Sequence, residues 1–466
     1  RLLMVPATDK NYELTTEITL GKGNTGGLLL FYDEKAYAGV ASDGKTFTIY
    51  RNGEKTETMP SDYHKHFHLR LLNRANRVIL SASKDGKSWE ELATDIDVSG
   101  LHHNNYGGFY ALRPALLSAG KGRTTFRNFT YRDVTPQEKD MAAYLMVFHQ
   151  DEDHCLHAAI SRDGYTFTAL NDGKPIIAGD TIADQKGIRD PHIYRGPDGG
   201  FYLAMTDLHI YAQRDGYRDT EWERDGKTYG WGNNRGLVLM KSFDLIHWTR
   251  TNIRFDQMSK EFAQIGCAWA PETVYDPVTG RMMIYFTMRF GTEQNRLYYV
   301  YVNQDFNRIE SIPQILFEYP SGASAIDGDI TPIWNEERQK MEYHLFYVAH
   351  ESGSGIKQAV SDRIDGGYRF DPRWIDFEPV ACEAPNVWKR IGEDKWVLMY
   401  DIFGINPHNF GFVETSDFVH FKNLGRFNEG VMKTTNFRSP KHGAVIHLTQ
   451  EEADRLENYW NGKKQK

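Results

Sequence analysis

The sequence has few cysteines, and they follow no metal-binding or disulfide pattern. Cys155, Cys267 and Cys382 lie far apart, and no CxxC pair occurs. This excludes a disulfide-stapled scaffold and a zinc-finger protein, so we expect free, buried thiols. The chain also lacks a run of 18 apolar residues, which excludes a predicted membrane-spanning helix. No signal peptide is visible in the sequence, which is equally compatible with a leader that has been removed.

The sequence contains no cluster of basic residues and no nucleotide-binding motif. Its net charge is −8, and no Lys/Arg run is present, so nucleic acid is not expected as a partner. The 41 glycines are scattered among turn signals and form neither a P-loop nor a dinucleotide fingerprint. The sequence is silent on the oligomeric state.

What is present is a globular, aromatic-rich chain that predicts two all-β domains. The chain has 466 residues, of which 40% are hydrophobic and 13% aromatic, enough for two or three domains. Short alternating runs such as 28–32 and 46–50 predict a β-sandwich of the jelly-roll or concanavalin-like type over residues 1–135. The segment 131–136 is interpreted as a linker, and residues 136–466 as the second domain.

The second domain contains an internal repeat. A Ser-Asp pair followed by an aromatic residue recurs after β-rich runs, and each copy predicts a turn near the outer edge of a sheet. The copies begin at Ser161, Ser242, Asn303 (degenerate), Ser361 and Ser416.

A second marker recurs in phase with the first. From Trp269 onward its copies are spaced by about 57 residues, the length of a four-stranded blade with its loops. The first interval is longer, and a polar insertion at 215–234 is interpreted as a loop over one face. The copies are Arg189-Asp190-Pro191, Trp269-Ala270-Pro271, Ile326-Asp327-Gly328, Glu383-Ala384-Pro385 and His442-Gly443.

Five markers in register predict a five-bladed β-propeller. Only one apolar strand, 444–448, follows the last marker, whereas two unassigned strands, 144–148 and 156–160, precede the first. We therefore expect the N- and C-terminal strands to pair and close the ring, which leaves no long exposed sheet edge.

The markers predict a cluster of carboxylates at one mouth of the central channel. The first strand of each blade lines that channel, so the residues just before it gather at one end. Asp190, Asp327 and Glu383 would meet there. Taken alone, each is as readily a turn former. Together they suit glycosidic bond cleavage, which needs one carboxyl group to protonate the leaving oxygen and another to activate water or attack the sugar.

Other residues could line the same funnel. Trp269 could stack on a sugar ring or belong to the core, and Arg438 could bind sugar hydroxyls or form a surface ion pair. His442 would point into the channel, where it could hold a structural metal or a hydrogen bond. Asp329 competes with Asp327, because both lie on one strand two residues apart and face the same way.

The ordered markers resemble glycoside hydrolase family 43, over about residues 142–449. That resemblance implies a five-bladed propeller that hydrolyses arabinose- or xylose-containing plant polysaccharides with inversion. It further implies Asp190 as the general base, Asp327 as the residue that tunes and orients the acid, and Glu383 as the general acid. His442 matches a position that lies beside a calcium ion in some members, so a structural calcium is expected, with no cofactor needed for the chemistry.

The sequence departs from that family at three places. Asp327-Gly328-Asp329 stands where Asp-Pro is frequent, Glu-Ala-Pro replaces Glu-Gly-Pro, and the sandwich precedes the propeller. We expect an exo-acting α-L-arabinofuranosidase or β-xylosidase, secreted or periplasmic, with an oligo- or polysaccharide substrate. The alternatives are a retaining fructosidase similar to family 32, although no Asn-Asp-Pro precedes Asp190, and a non-catalytic carbohydrate-binding protein.

Overall fold

The structure is a computed structural model that describes residues 1–74, 76–351 and 353–462. It divides into two compact units, Arg1–Pro136 and Gln137–Lys466. Strands dominate both units, so the predicted all-β class is confirmed. Among the described residues, no helix has the length and apolar character needed to cross a membrane.

The first unit is a sandwich of two antiparallel sheets. Alternation along its strands places one face inward, as in β7, where every second residue from Phe67 to Asn73 is buried. One sheet has the order β1-β10-β3-β4-β5-β6 and the other β11-β2-β7-β8-β9. The elements are β1 (Leu2–Met4), β2 (Asn11–Leu20), β3 (Thr25–Asp33), β4 (Ala36–Ser42), β5 (Thr46–Arg51), β6 (Glu54–Pro60), β7 (His66–Arg74), β8 (Arg77–Ser83), β9 (Glu90–Asp97), α1 (His103–Tyr106), β10 (Arg113–Ala119) and β11 (Thr124–Asp133).

The predicted linker is shorter than expected, because β11 continues to Asp133. Tyr131 belongs to the sandwich: its hydroxyl donates to Asp9 Oδ2 at 2.8 Å, and its ring stacks on Tyr12 at 5.2 Å. Only Val134, Thr135 and Pro136 lie between this strand and the second unit.

The second unit consists of five sheets, here called blades I to V. Blades II to V are each four antiparallel strands in sequence order. Blade II contains β15 (Ile188–Arg195), β16 (Phe201–Asp207), β17 (Gly236–Ser242) and β18 (Thr249–Arg254), and blade III contains β19 (Ile265–Asp276), β20 (Arg281–Phe290), β21 (Arg296–Val302) and β22 (Gln314–Phe317). Blade IV contains β23 (Ala325–Asn335), β24 (Lys340–Ala349), β25 (Gly355–Ser361) and β26 (Arg369–Asp371), and blade V contains β27 (Glu383–Lys389), β28 (Trp396–Ile402), β29 (Asn409–Thr415) and β30 (Lys422–Arg426).

Blade I joins the two ends of the unit, which confirms the predicted closure. Its order is β31-β14-β13-β12-β32, and β12 pairs with β32 through Leu145 and Ile446. The helix α4, which the sequence analysis did not predict, follows β32 and packs Ala453 and Leu456 into the core shared with blade II. The elements are β12 (Met141–His149), β13 (Leu156–Ser161), β14 (Thr166–Ala169), β31 (Lys433–Thr434), β32 (Lys441–Thr449) and α4 (Gln450–Gly462), with α2 (Gly179–Ile182) and α3 (Gly226–Tyr229) in connections of blades I and II.

The five inner strands form a closed ring. β32 contacts β15, β15 contacts β19, and the series continues through β23 and β27 back to β32. A closed ring of five radially arranged sheets is a five-bladed β-propeller. The Ser-Asp repeats lie at the turn after the third strand of a blade, as in blade II, where Ser242 Oγ and Asp244 Oδ1 accept backbone N–H groups.

Candidate active site

Each inner strand carries a β-bulge at its marker. The predicted placement just before the strand is therefore wrong: each marker lies within its strand, at the point where pairing with the second strand shifts register. A bulge leaves one residue unpaired and redirects its side chain. The bulge residues all have positive φ, an uncommon conformation for non-glycine residues: Asp190 (50°), Ala270 (47°), Asp327 (52°), Ala384 (55°) and His442 (41°).

The backbone N–H of each bulge residue is held by a side chain of the preceding blade. Four of the five acceptors lie on that blade's second strand, so the bulges lock neighbouring blades together. The exception is Ala384, whose N–H is taken by Asp327 itself. The pairs are Asp190 N to His149 Nδ1 (3.1 Å), Ala270 N to Thr206 Oγ1 (2.8 Å), Asp327 N to Thr287 Oγ1 (3.0 Å), Ala384 N to Asp327 Oδ2 (3.2 Å) and His442 N to Asp401 Oδ2 (3.2 Å).

Asp190 is an ionised carboxylate in this ring. Its Oδ2 accepts from Thr206 Oγ1 at 2.7 Å, and its Oδ1 lies 3.3 Å from His442 Nδ1. Burial by itself would raise the pKa of Asp190, but the charges of His442 and Arg189 outweigh it and hold that pKa well below its usual range. An ionised carboxylate suits the role of a general base.

Asp327 is a carboxyl group with a raised pKa, and it lies beside the backbone N–H of Ala384, the residue after Glu383. Burial, together with the negative charges of Glu383 and Asp190, raises the pKa of Asp327 to about 7, although the nearby His442 opposes the shift. Because Asp327 Oδ2 accepts from Ala384 N, this side chain fixes the backbone that carries Glu383. The three predicted carboxylates therefore lie in one electrostatic cluster.

Two residues of this cluster were missed by the sequence analysis. Lys441 Nζ lies 3.1 Å from Glu383 Oε1 and 3.4 Å from Asp401 Oδ2, and both Lys441 and Asp401 are buried. Burial and the charge of Glu383 raise the pKa of Asp401 to about 7 despite the nearby ammonium group. Lys441 directly precedes its bulge residue, as Glu383 does, so its position in the repeated marker could have identified it from the sequence. Asp401 lies on a second strand, outside the markers, and no sequence pattern identifies it.

Asp329 lies one step further along the channel than Asp327, in a separate cluster. Its Oδ2 accepts from Val387 N at 2.9 Å. Burial raises the pKa of Asp329 to about 7 and that of Glu272 well above its usual value, with the negative charge of Asp329 adding to the latter. The Tyr285 hydroxyl donates a hydrogen bond to Glu272 Oε2 at 2.7 Å. This arrangement is a buried pair of carboxyl groups that retains a proton.

The geometry of the histidines does not favour a metal. His192, Glu272 and Asp329 offer atoms within 4.8 Å of one another. However, His192 Nδ1 accepts from Thr273 N, so the neutral ring carries its proton on Nε2 and has no lone pair for an ion there. His442 pairs with Asp190, whose charge raises the pKa of His442 against the effect of burial. The structural calcium expected beside His442 stays a prediction.

Trp269 and Arg438 lie on different sides of the mouth. Trp269 Nε1 donates to Gly232 O at 2.9 Å, and Arg289 covers one face of its ring at 4.6 Å. The adjacent Trp231 is 59% exposed and meets Trp269 edge-on at 5.8 Å. The predicted loop 215–234 thus supplies an exposed indole beside the mouth. Arg438 is exposed and lies in the connection that leads to β32.

The fold and the ring of carboxylates define a propeller of the glycoside hydrolase type. Residues 139–454 match the family described as a probable glycosyl hydrolase domain, related to glycosyl hydrolase family 43. The chain belongs to this family, which confirms the resemblance found in the sequence.

Individual proteins match less of the chain. A 193-residue stretch is 25% identical to an α-L-arabinofuranosidase of Bifidobacterium longum subsp. longum and covers 39% of this chain but 16% of that protein. The chain thus spans a small part of the curated relative it matches. An α-L-arabinofuranosidase structure from Clostridium thermocellum is 12% identical, with a TM-score of 0.39 over 58% of this chain and 82% of that one. A xylan β-1,4-xylosidase from Bacillus halodurans is 12% identical, with a TM-score of 0.41 over 63% and 54%.

Proposed function

We propose that this protein is an inverting, exo-acting glycoside hydrolase of the α-L-arabinofuranosidase or β-xylosidase type, acting outside the cytoplasm in a secreted or periplasmic location. The observation that carries the proposal is that Asp190, Asp327 and Glu383 lie at or next to the bulges of three inner strands around one channel mouth. Family membership and the relatives that are named as arabinofuranosidases and a xylosidase support the substrate class.

In the proposed mechanism, Asp190 accepts a proton from the attacking water. Its ionised state, maintained by His442 and Arg189, suits that role. Glu383 protonates the departing glycosidic oxygen, and Asp327 orients Glu383 through the amide of Ala384. Because the pKa values of Asp327 and Asp401 are both about 7, the carboxyl groups beside Glu383 hold protons near neutral pH.

Hydrolysis of nitrophenyl glycosides by the wild type and Glu383→Gln tests this proposal. We expect one pentoside to be hydrolysed and the variant to lose about 10²–10⁴-fold in kcat, the usual contribution of general acid catalysis. The loss should shrink with dinitrophenol, a leaving group that needs less protonation. Proton NMR of the first product should show the inverted anomer.

The outcomes separate the alternatives. Retention of configuration, or hydrolysis of a fructofuranoside alone, would favour a retaining fructosidase. Sugar binding that survives in Glu383→Gln, with no turnover by the wild type on any glycoside or oligosaccharide, would favour a carbohydrate-binding protein.

A further inference from the structure

A polar cavity of about 400 Å³ lies in blade V at its junction with blade I. It is lined by three segments, 405–409, 426–429 and 434–440. They are the connection from β28 to β29, the end of β30 with the turn after it, and the lead into β32. A volume of this size is typical of pockets that bind small ligands.

The chain topology places this cavity at the same end of the propeller as the bulges. β27 begins at Glu383 and runs away from the mouth, so the antiparallel β28 returns to the mouth and ends there at Ile402. β30 likewise returns towards the mouth, and β32 begins there with Lys441 and His442. The three lining segments therefore all lie at the mouth end.

His408 connects the cavity with the carboxylate cluster. It lines the cavity, and its Nε2 lies 3.7 Å from Asp151 Oδ2. Asp151 in turn pairs with Arg189 Nη1 at 2.6 Å, directly before Asp190. The charges of Lys441 and Glu383 also reach His408, where they act on its pKa alongside the lowering effect of burial. His408 Nδ1 is buried and bonds to no described residue.

The cavity offers donors and an aromatic wall. Arg438 is exposed, and its guanidinium has no partner among the described residues, whereas Arg426 beside it is engaged by Glu378 at 2.6 Å. Phe437 is held in place by stacking on Phe148 at 4.9 Å. A free guanidinium and an aromatic wall are suited to a sugar ring, which presents hydroxyl groups on its edge and apolar C–H groups on its faces.

We propose that this cavity binds the leaving-group sugar, with Arg438 donating hydrogen bonds to its hydroxyls. The inference rests on the proposed function. A general acid must lie on the side of the scissile bond from which the leaving group departs. Glu383 opens β27, and the cavity is built from the remaining connections of the same blade and from the segment next to it. The sugar beyond the cleaved bond therefore faces this cavity.

Steady-state kinetics of Arg438→Ala on two substrates tests the inference. One is the nitrophenyl pentoside that the wild type hydrolyses, and the other is a linear oligosaccharide of the same pentose. We expect kcat/KM for the oligosaccharide to fall roughly tenfold or more, the value of a charged hydrogen bond, and kcat/KM for the nitrophenyl pentoside to stay within about twofold. Arg438→Lys should recover part of the loss.

Arg369→Ala is the matched control, because Arg369 is an exposed arginine on the outer strand β26 of blade IV. It should alter neither substrate's kinetics. Equal losses on both substrates with Arg438→Ala, or no loss on the oligosaccharide, would overturn the inference while the proposed function stands. A wild type that hydrolyses neither substrate would overturn both.

Discussion

Thr206 is expected to control the reactivity of Asp190 without touching the sugar. Its buried hydroxyl donates to Asp190 Oδ2 at 2.7 Å and accepts from Ala270 N at 2.8 Å, so one oxygen links the carboxylate of blade II to the bulge of blade III. Thr206→Val keeps the shape of the side chain and removes both hydrogen bonds. The carboxylate then loses the donor that orients it.

The size of the effect follows from the charge of the acceptor. A hydrogen bond to a charged group contributes about 1.5–3 kcal/mol, which corresponds to a fall in kcat of roughly 10- to 100-fold if the whole amount is lost in the transition state. KM should change little, because Thr206 is fully buried. The Ala270 N–H is left without its acceptor, which costs about 1–3 kcal/mol of stability.

Kinetics on the nitrophenyl pentoside and thermal unfolding measure the two effects separately. Thr206→Ser keeps the hydroxyl and should retain most of kcat. Thr287→Val is the matched control. The Thr287 hydroxyl accepts from the bulge amide of Asp327 at 3.0 Å, but among the described residues it donates to no carboxylate. It should lower stability comparably and kcat much less. Wild-type kcat in Thr206→Val, or equal losses in both valine variants, would refute the reasoning.

Two further predictions concern Asp329 in the channel and Trp231 beside its mouth. Asp329→Asn should change how the free energy of unfolding depends on pH. The pKa of Asp329 is about 7 in the folded protein and 3.8 in the unfolded chain, so between these values the folded state keeps a proton that the unfolded chain has lost, and stability falls as pH rises. Denaturant titrations should show the wild type losing about 4 kcal/mol relative to the variant between pH 3.8 and pH 7. A parallel pH dependence in both proteins would contradict this. Trp231→Ala should raise KM for the oligosaccharide roughly 2- to 10-fold, because an aromatic contact with a sugar ring is lost. Trp334→Ala, at the distal end of β23, is the control and should leave KM unchanged. Equal effects of the two substitutions would show that Trp231 does not contact the sugar.

The sequence predicts the blades well because each marker has a local backbone requirement that repeats. A bulge with positive φ at the start of an inner strand leaves a short, recognisable signature, and its spacing counts the blades. The same logic identified the strand 444–448 as the closing strand, which pairs with β12 as expected. The helix α4 escaped prediction because its apolar face is completed by blades I and II and not by the helix alone.

The chemistry around the carboxylates was less predictable, because it depends on contacts between blades. Thr206 and Asp401 lie on second strands whose residues are almost all buried, so the sequence pattern does not show which side chains face the channel. Asp327 and Asp329 could not be ranked from spacing, since both face the channel. Their hydrogen bonds separate them: Asp327 holds the amide of Ala384, whereas Asp329 holds that of Val387, three residues further from the mouth.

The bulge register also explains how similar strands can supply different roles. Asp190 and Asp327 occupy the bulge position itself, whereas Glu383 precedes it, as Lys441 does on β32. Side chains of successive residues in a strand diverge, so Glu383 is directed differently from the two aspartates and meets Lys441 rather than His442. An inverting hydrolase needs its acid and base separated by the sugar and a water molecule. Under the proposed mechanism, a one-residue offset between otherwise equivalent strands supplies that separation, with Glu383 paired to Lys441 and Asp190 oriented by Thr206 on the second strand of its own blade.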